Sequence, residues 1–159
     1  MKSTSKIANN LLTKSRKSGI KIVTAESCTG GMVASGIVAI AGSSDVFERG
    51  FVTYSNNSKI EELGVSKNTL EKYGAVSEQV ASAMALGALK NSAADLSVAI
   101  TGIAGPGGGN NQKPVGLVYI ATCTKNAQPK CKKYIFSGDR TNIRISATEK
   151  ALEMLLDAI

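Results

Sequence analysis

A chain of 159 residues, 43% hydrophobic and 19% charged, is the size of one domain and has enough apolar side chains to bury a core. Its 19 Lys and Arg outweigh 12 Asp and Glu for a net charge of +7, and it has no histidine. That excludes a Ser-His-Asp triad, a Cys-His dyad and any His-ligated metal site, so proton transfer falls to Lys, Tyr, Cys, Asp or Glu.

The three cysteines, Cys28, Cys123 and Cys131, are an odd number, which argues against a disulfide framework and for a reducing cytoplasm. No apolar run follows Met1 to Lys6 as a signal peptide requires. The longest apolar stretch, Met32 to Ala41, is interrupted by Ser35 and Gly36 and falls short of the roughly 20 residues of a membrane span. A cytoplasmic chain with no membrane partner is expected. Basic residues gather from Lys2 to Lys21 and from Lys125 to Lys150, which reads either as nucleic-acid binding or as a solvated basic surface. The few aromatics form no stacking motif with basic residues, so no specific nucleic-acid partner is expected.

In chain order, Ile7, Ala8, Leu11 and Leu12 share one helical face with lysines opposite, and Gly19 ends that helix. Ile20 to Ala25 reads as a short buried strand, Thr29-Gly30-Gly31 as a turn, and Met32 to Ile40 as a small-residue helix broken by Gly42-Ser43-Ser44. Gly50 to Ser55 reads as a second strand. Asn57 to Leu63 and Ser66 to Tyr73 read as short helices, the latter opened by a serine cap. Ser77-Glu78-Gln79-Val80 starts a longer helix to about Ser92, packing through Val80, Ala83, Met84 and Gly87. Leu96 to Thr101 is a third strand, followed by a loop from Gly102 to Pro114. Gly116 to Thr124 and Cys131 to Ser137 are paired strands about a turn at Asn126-Ala127-Gln128-Pro129. Asn142 to Ile159 closes the chain as a helix with Ala151, Leu152, Leu155 and Ile159 inward. Alternating strands and helices predict an α/β fold over residues 1–159: a three-layer α/β/α sandwich with a mixed, mostly parallel sheet and an antiparallel edge hairpin.

Four segments suit chemistry. In Thr24 to Gly31 a strand runs into a Gly-Gly turn and a helix, where outward N–H groups can hold an anion or a developing oxyanion. Ser27 stands where a nucleophile on such a turn would; equally, the glycines serve close packing and Ser27 caps the helix. Cys28 competes as a nucleophile acidified by a helix N-terminus, or is a buried inert thiol. Tyr54 and Lys59 lie where a strand ends and a helix starts, the side of an α/β sheet that binds ligands. A buried Lys59 can act as a base, whereas an exposed one is an ordinary helix lysine. Thr101 to Gly109 is neither a P-loop, since Gly108-Gly109 replace Lys-Ser/Thr, nor a dinucleotide fingerprint, since no helix follows. It is a loop that brings backbone to a ligand, moves over one, or merely crosses. Finally, Asp139 or Thr141 can cap the last helix, and Arg140 and Arg144 share a face of its start, where the dipole disfavours cations. A bound phosphate would explain them, as would a surface position. No metal-ligand spacing stands out.

Thr24 to Gly31, Gly42-Ser43-Ser44, Tyr54-Ser55-Asn56 with Lys59, Leu63-Gly64-Val65, Gly74-Ala75-Val76-Ser77, Ala99 to Gly109, Lys113-Pro114-Val115-Gly116 and Ser137-Gly138-Asp139-Arg140 together resemble the C-terminal domain of the competence/damage-inducible protein CinA, over about residues 5–159. The resemblance implies the stand-alone form, for which no preceding molybdopterin-binding-like domain is expected. The resemblance implies an amidase that converts nicotinamide mononucleotide to nicotinate mononucleotide and ammonia, within pyridine-nucleotide recycling, with no cofactor. It implies Ser27 as nucleophile, with Lys59 and Tyr54 as base and proton relay. Cys28, Thr29, Gly30, Gly31, Ser43, Ser44, Thr101, Gly102 and Arg140 would line the substrate site. The assignment of Arg140 to the substrate phosphate comes from its position on the last helix. A homodimer or higher homo-oligomer is the expected assembly. Two other functions stay open: an inactive nucleotide-binding regulatory module, told apart by ammonia release, and a basic nucleic-acid-associated protein, told apart by steep salt dependence.

Overall fold

The structure, a computed structural model, describes residues 2–159; Met1, where the expected domain begins, lies outside the described residues. Helix α1 (Lys2–Ser18) forms on the predicted stripe, with Ala8, Leu11 and Leu12 fully buried. It stops at Gly19, whose φ of 67° a side chain would oppose. There follow β1 (Ile22–Glu26), α2 (Met32–Val38), β2 (Phe47–Val52), α3 (Asn56–Leu63), α4 (Lys67–Tyr73), α5 (Glu78–Lys90), β3 (Leu96–Gly102), β4 (Leu117–Thr124), β5 (Lys130–Ile135) and α6 (Arg140–Asp157). Four helices start on side-chain caps: Ser55, Ser66, Ser77 and Asp139 each accept a backbone N–H three residues on. The Asp139 cap starts α6 at Arg140, two residues before the expected Asn142. Strand β2 begins at Phe47, earlier than the expected Gly50. Its charged Glu48 and Arg49 hide it in the sequence, and a sheet edge tolerates them.

The five strands form one sheet in the order β2-β1-β3-β4-β5. Strands β2, β1 and β3 are parallel, β4 runs against β3, and β5 runs against β4. Four of the five strands therefore point the same way, and the sheet is mixed and mostly parallel, as expected. Helices α1, α2 and α6 cover one face over a core that includes Leu12, Ile22, Ile37, Val98, Ile100, Ile120 and Leu152. Helices α3, α4 and α5 cover the other, over Val23, Ala25, Leu63, Met84, Ala99 and Ala121. Along β1, β3 and β4 the two sets alternate, as a sheet buried on both faces requires. No helix among the described residues is long and apolar enough to cross a membrane.

The parallel strands end level with one another. Glu26 pairs with Ile100 and with Val52, and the ladder continues through Ser27 N–H to Ile100 O (3.0 Å) and Thr53 N–H to Glu26 O (2.9 Å). The segments after β1, β2 and β3 thus leave the sheet side by side.

Small residues on the second face let α5 come close. A Cβ built at Gly87 would lie 1.9 Å from the carbonyl oxygen of Leu63. Helix propensity alone makes Gly87→Ala stabilising by about 1 kcal/mol. Contact with an immovable backbone reverses the sign, so Gly87→Ala should lose roughly 1–3 kcal/mol in urea denaturation.

Candidate active site

Ser27 follows β1 directly and is 8% exposed. Its carbonyl accepts the Gly30 N–H (3.1 Å), so the chain turns at once. Lys59 arrives from the start of α3, oriented by the Ser55 cap, and is only 1% exposed. Its Nζ lies 3.0 Å from Ser27 Oγ, 2.8 Å from Thr53 O and 3.2 Å from Tyr54 O. Burial pushes the Lys59 pKa down from a lysine's ordinary 10.5 to about 8. A neutral amine has two N–H groups and one lone pair. The two carbonyls can only accept, so they take the N–H groups, and the lone pair is left for the Ser27 hydroxyl proton. So placed, a neutral Lys59 amine can accept the proton of the Ser27 hydroxyl.

Cys28 is adjacent but differently poised. Burial pushes its thiol up to about 11, so it is a neutral thiol at neutral pH.

The Gly-Gly turn corrects an expectation. Glu26, fully buried, accepts the N–H groups of Gly31 (3.0 Å), Val33 (3.0 Å) and Ala34 (2.9 Å), while the Gly30 N–H goes to Ser27 O. The anion at the start of α2 is the protein's own carboxylate, and neither glycine N–H is aimed outward. Thr29 is buried with its Oγ1 lacking any hydrogen-bond partner.

A cavity of about 200 Å³ opens at Ser27. It brings together Ser27, Cys28, Tyr54, Lys59, Thr101, Gly102 and Arg140 among the expected residues, and adds Asn56, Ala75, Val76 and Ala104. Thr101 Oγ1 donates to Ala75 O (2.8 Å), which draws the turn before α5 over the cavity. The exposed Tyr54 has two ends in the site: its carbonyl holds Lys59, and its phenol meets an Arg140 Nη (3.3 Å). The other Arg140 Nη donates to Gly105 O (2.7 Å), so Arg140 spans the rim.

Ser43 and Ser44 do not join this cavity, which corrects a second expectation. They form a short 3-10 turn just before β2, and Val46 O next to that turn accepts the N–H of Ile22, the first residue of β1. They therefore sit at the opposite end of a five-residue strand, roughly 16 Å from Ser27. Arg144 also departs from expectation. It does not share an outward anion site with Arg140; its Nε and Nη2 donate to Cys28 O and Thr29 O, both at 3.0 Å. Glu26 was within reach of sequence reasoning, as an acid placed between a buried strand and a Gly-Gly turn. Asn56 and Ala75-Val76 lie in segments that carry the family resemblance, but nothing in their residue types or spacing singled them out for the cavity. Among the described residues no group of Cys, Asp or Glu is placed to hold a metal.

The depressed Lys59 pKa has a signature in stability. An unfolded lysine holds its proton up to about 10.5, and the folded one releases it near 8. Between those values the unfolded chain binds more protons, so stability rises with pH. Measured against Lys59→Met by chemical denaturation, the wild-type unfolding free energy should rise by about 3 kcal/mol across that window. A difference that stays flat with pH would contradict a depressed value.

A model of the CinA C-terminal domain family matches residues 4–159. The nicotinamide-nucleotide amidohydrolase PncC of Escherichia coli strain K12 is 53% identical over 137 residues, which cover 86% of this chain and 83% of PncC. A CinA-like protein of Akkermansia muciniphila is 49% identical over 139 residues, 87% of this chain but 34% of that protein. The chain thus spans about a third of the length of the longer curated relatives it matches. The crystal structure of the competence/damage inducible protein CihA from Agrobacterium tumefaciens superposes with a TM-score of 0.95 at 47% identity, covering 98% of this chain and 94% of that one. The chain belongs to the CinA C-terminal domain family.

Proposed function

We propose that the chain is an amidohydrolase that cleaves the carboxamide of nicotinamide mononucleotide, giving nicotinate mononucleotide and ammonia. The observation that carries this reading is the buried Lys59 Nζ, 3.0 Å from Ser27 Oγ and held by two main-chain carbonyls. The substrate is supported by the 53% identity to a protein named as a nicotinamide-nucleotide amidohydrolase. The cavity takes the pyridine ring and its amide, with the ribose phosphate at the rim beside Arg140.

Lys59 takes the Ser27 proton as Oγ bonds to the carboxamide carbon, and the carbonyl electron pair moves onto oxygen. The N–H groups of Cys28 and Thr29, the next two in the turn, receive that oxyanion, because those of Gly30 and Gly31 are already engaged. The tetrahedral intermediate collapses to a Ser27 ester, and ammonia leaves with the proton held by Lys59. Water then attacks the ester with Lys59 again as base, releasing the nicotinate nucleotide and restoring the Ser27 hydroxyl. Tyr54 orients Lys59 through its carbonyl, and its phenol serves as the proton relay at the mouth. Thr101 and Gly102 shape the wall against the ring. No step calls for a cofactor. The reading extends to a cytoplasmic homodimer or higher homo-oligomer with no specific nucleic-acid or membrane partner.

An ammonia-coupled assay on nicotinamide mononucleotide tests the assignment. Ser27→Ala should abolish release, while Cys28→Ala, which keeps its N–H, should retain most of it. The rate should climb along a single-proton limb centred near pH 8, because only neutral Lys59 accepts the serine proton. Lys59→Arg should be as inactive as Lys59→Ala, since general-base catalysis contributes about 10²–10⁴-fold. Retention of more than about a tenth of the rate by Lys59→Arg would remove the base role.

Arg140→Ala separates phosphate binding from chemistry. Loss of a charge-assisted contact of about 1.5–3 kcal/mol should raise KM for the nucleotide by roughly tenfold or more, with far less effect on free nicotinamide. Equal losses on both would make Arg140 a structural strut between Tyr54 and Gly105.

A further inference from the structure

We propose that Arg144 is a positioning residue of this reaction, acting on the oxyanion through the backbone of the turn that follows Ser27. The inference rests on the amidase reading above.

Arg144 lies one helical turn beyond Arg140 on α6, with its Nε and Nη2 on the carbonyls of Cys28 and Thr29. A trans peptide is planar, with its C=O and N–H pointing in opposite directions. Holding the Cys28 carbonyl towards α6 therefore fixes the Thr29 N–H on the far side. Holding the Thr29 carbonyl does the same for the Gly30 N–H, which closes the turn onto Ser27 O. The Thr29 N–H therefore lies on the side away from Arg144, and the Cys28 N–H, which is anti to the Ser27 carbonyl, is held at one remove by the Gly30 N–H on that carbonyl. Every later N–H that could serve is engaged: Gly30 by Ser27 O, Met32 by Thr29 O, and Gly31, Val33 and Ala34 by Glu26. Arg144 thus governs the orientation of the donors left for the substrate oxygen.

Its charge acts along the same path. A guanidinium hydrogen-bonded to a carbonyl polarises that peptide and strengthens its N–H as a donor. None of the ion pairs among the described residues includes Arg144, so no carboxylate neutralises it there. Glu26 clamps the α2 side of the turn and Arg144 the α6 side. The fit around the guanidinium is close: a Cβ at Gly30 would stand 3.4 Å from Arg144 Nη2.

The test is Arg144→Ala on the full chain, with nicotinamide mononucleotide as substrate and ammonia as readout. Loss of a preorganised oxyanion site should lower kcat by roughly 100-fold. KM should stay within about threefold, because the interaction grows only towards the transition state. The pH limb should not move, since burial sets the Lys59 value. Guanidinium ions added at millimolar concentration should restore much of the lost kcat by occupying the same two carbonyls. A kcat within about threefold of wild type, a loss confined to KM, or a loss that guanidinium does not relieve overturns the inference. If Arg144→Ala does not fold, Arg144→Lys gives the same reading: one carbonyl held should leave kcat roughly tenfold down, and wild-type kcat overturns the inference. A wild-type chain that releases no ammonia overturns the amidase reading and this inference with it. An active wild type with a fully active Arg144→Ala overturns this inference alone.

Discussion

A lysine that is 1% exposed and bonded to three neutral oxygens is the constraint around which the rest of this structure is arranged. Withdrawing an ammonium from water is costly, and the protein answers by favouring the neutral amine, not by supplying a carboxylate partner. That answer needs two carbonyls at fixed positions. They come from Thr53 and Tyr54, where the chain leaves β2 and has not yet entered α3. It also needs α3 to start at one residue and no other, which the Ser55 cap secures. Level strand ends then bring Ser27 to the remaining face of the amine.

The turn after Ser27 is fixed from both sides by buried or half-buried charges of opposite sign. Glu26 gathers the first N–H groups of α2, and Arg144 gathers the carbonyls just before them. A short helix of seven residues has little intrinsic stability, and a carboxylate at its N-terminus offsets part of that weakness. The turn after Ser27 therefore does not rely on the glycines alone for its shape. Gly30 and Gly31, with φ of 57° and 96°, permit the conformation, and the charges select it.

Local rules were enough to read much of the fold. The α1 stripe, the Ser66 and Ser77 caps and the β4–β5 pairing all follow from spacing within a few residues. The start of β2 was not legible, because Phe47-Glu48-Arg49 has an edge strand's polarity and no alternation to mark it. At the site, Ser27, Tyr54, Lys59, Thr101 and Arg140 could be picked out singly, yet which of them meet is a property of strand register. Ser43 and Ser44 show the limit: a motif next to the others in sequence sits at the far end of β2 because the chain must first return to the base of the sheet. The partners of Gly31 and Arg144 were hidden for a related reason. An N–H or a guanidinium in a sequence does not say whether a ligand or the chain itself will take it, and here the chain does.

The sheet's two faces differ in bulk: the α1/α6 side is rich in large aliphatics, and the α5 side carries many alanines where helix and strands meet. Their difference makes the domain respond asymmetrically to drift in side-chain volume. On the α1/α6 face, Leu12, Ile37, Ile120 and Leu152 have methyl groups to lose, and the characteristic injury there is a void that neighbours only partly fill. On the α5 face, Ala25, Ala81, Ala85, Ala88, Ala99 and Ala121 are fully buried and have only a methyl to lose, and at Gly87 an added Cβ would meet the Leu63 backbone. Injury there is congestion, and it displaces a rigid helix as a body. Helix α5 packs on the end of α3, the helix that carries Lys59. Added bulk beneath α5 is therefore transmitted to the amine in a way that removed bulk on the opposite face is not.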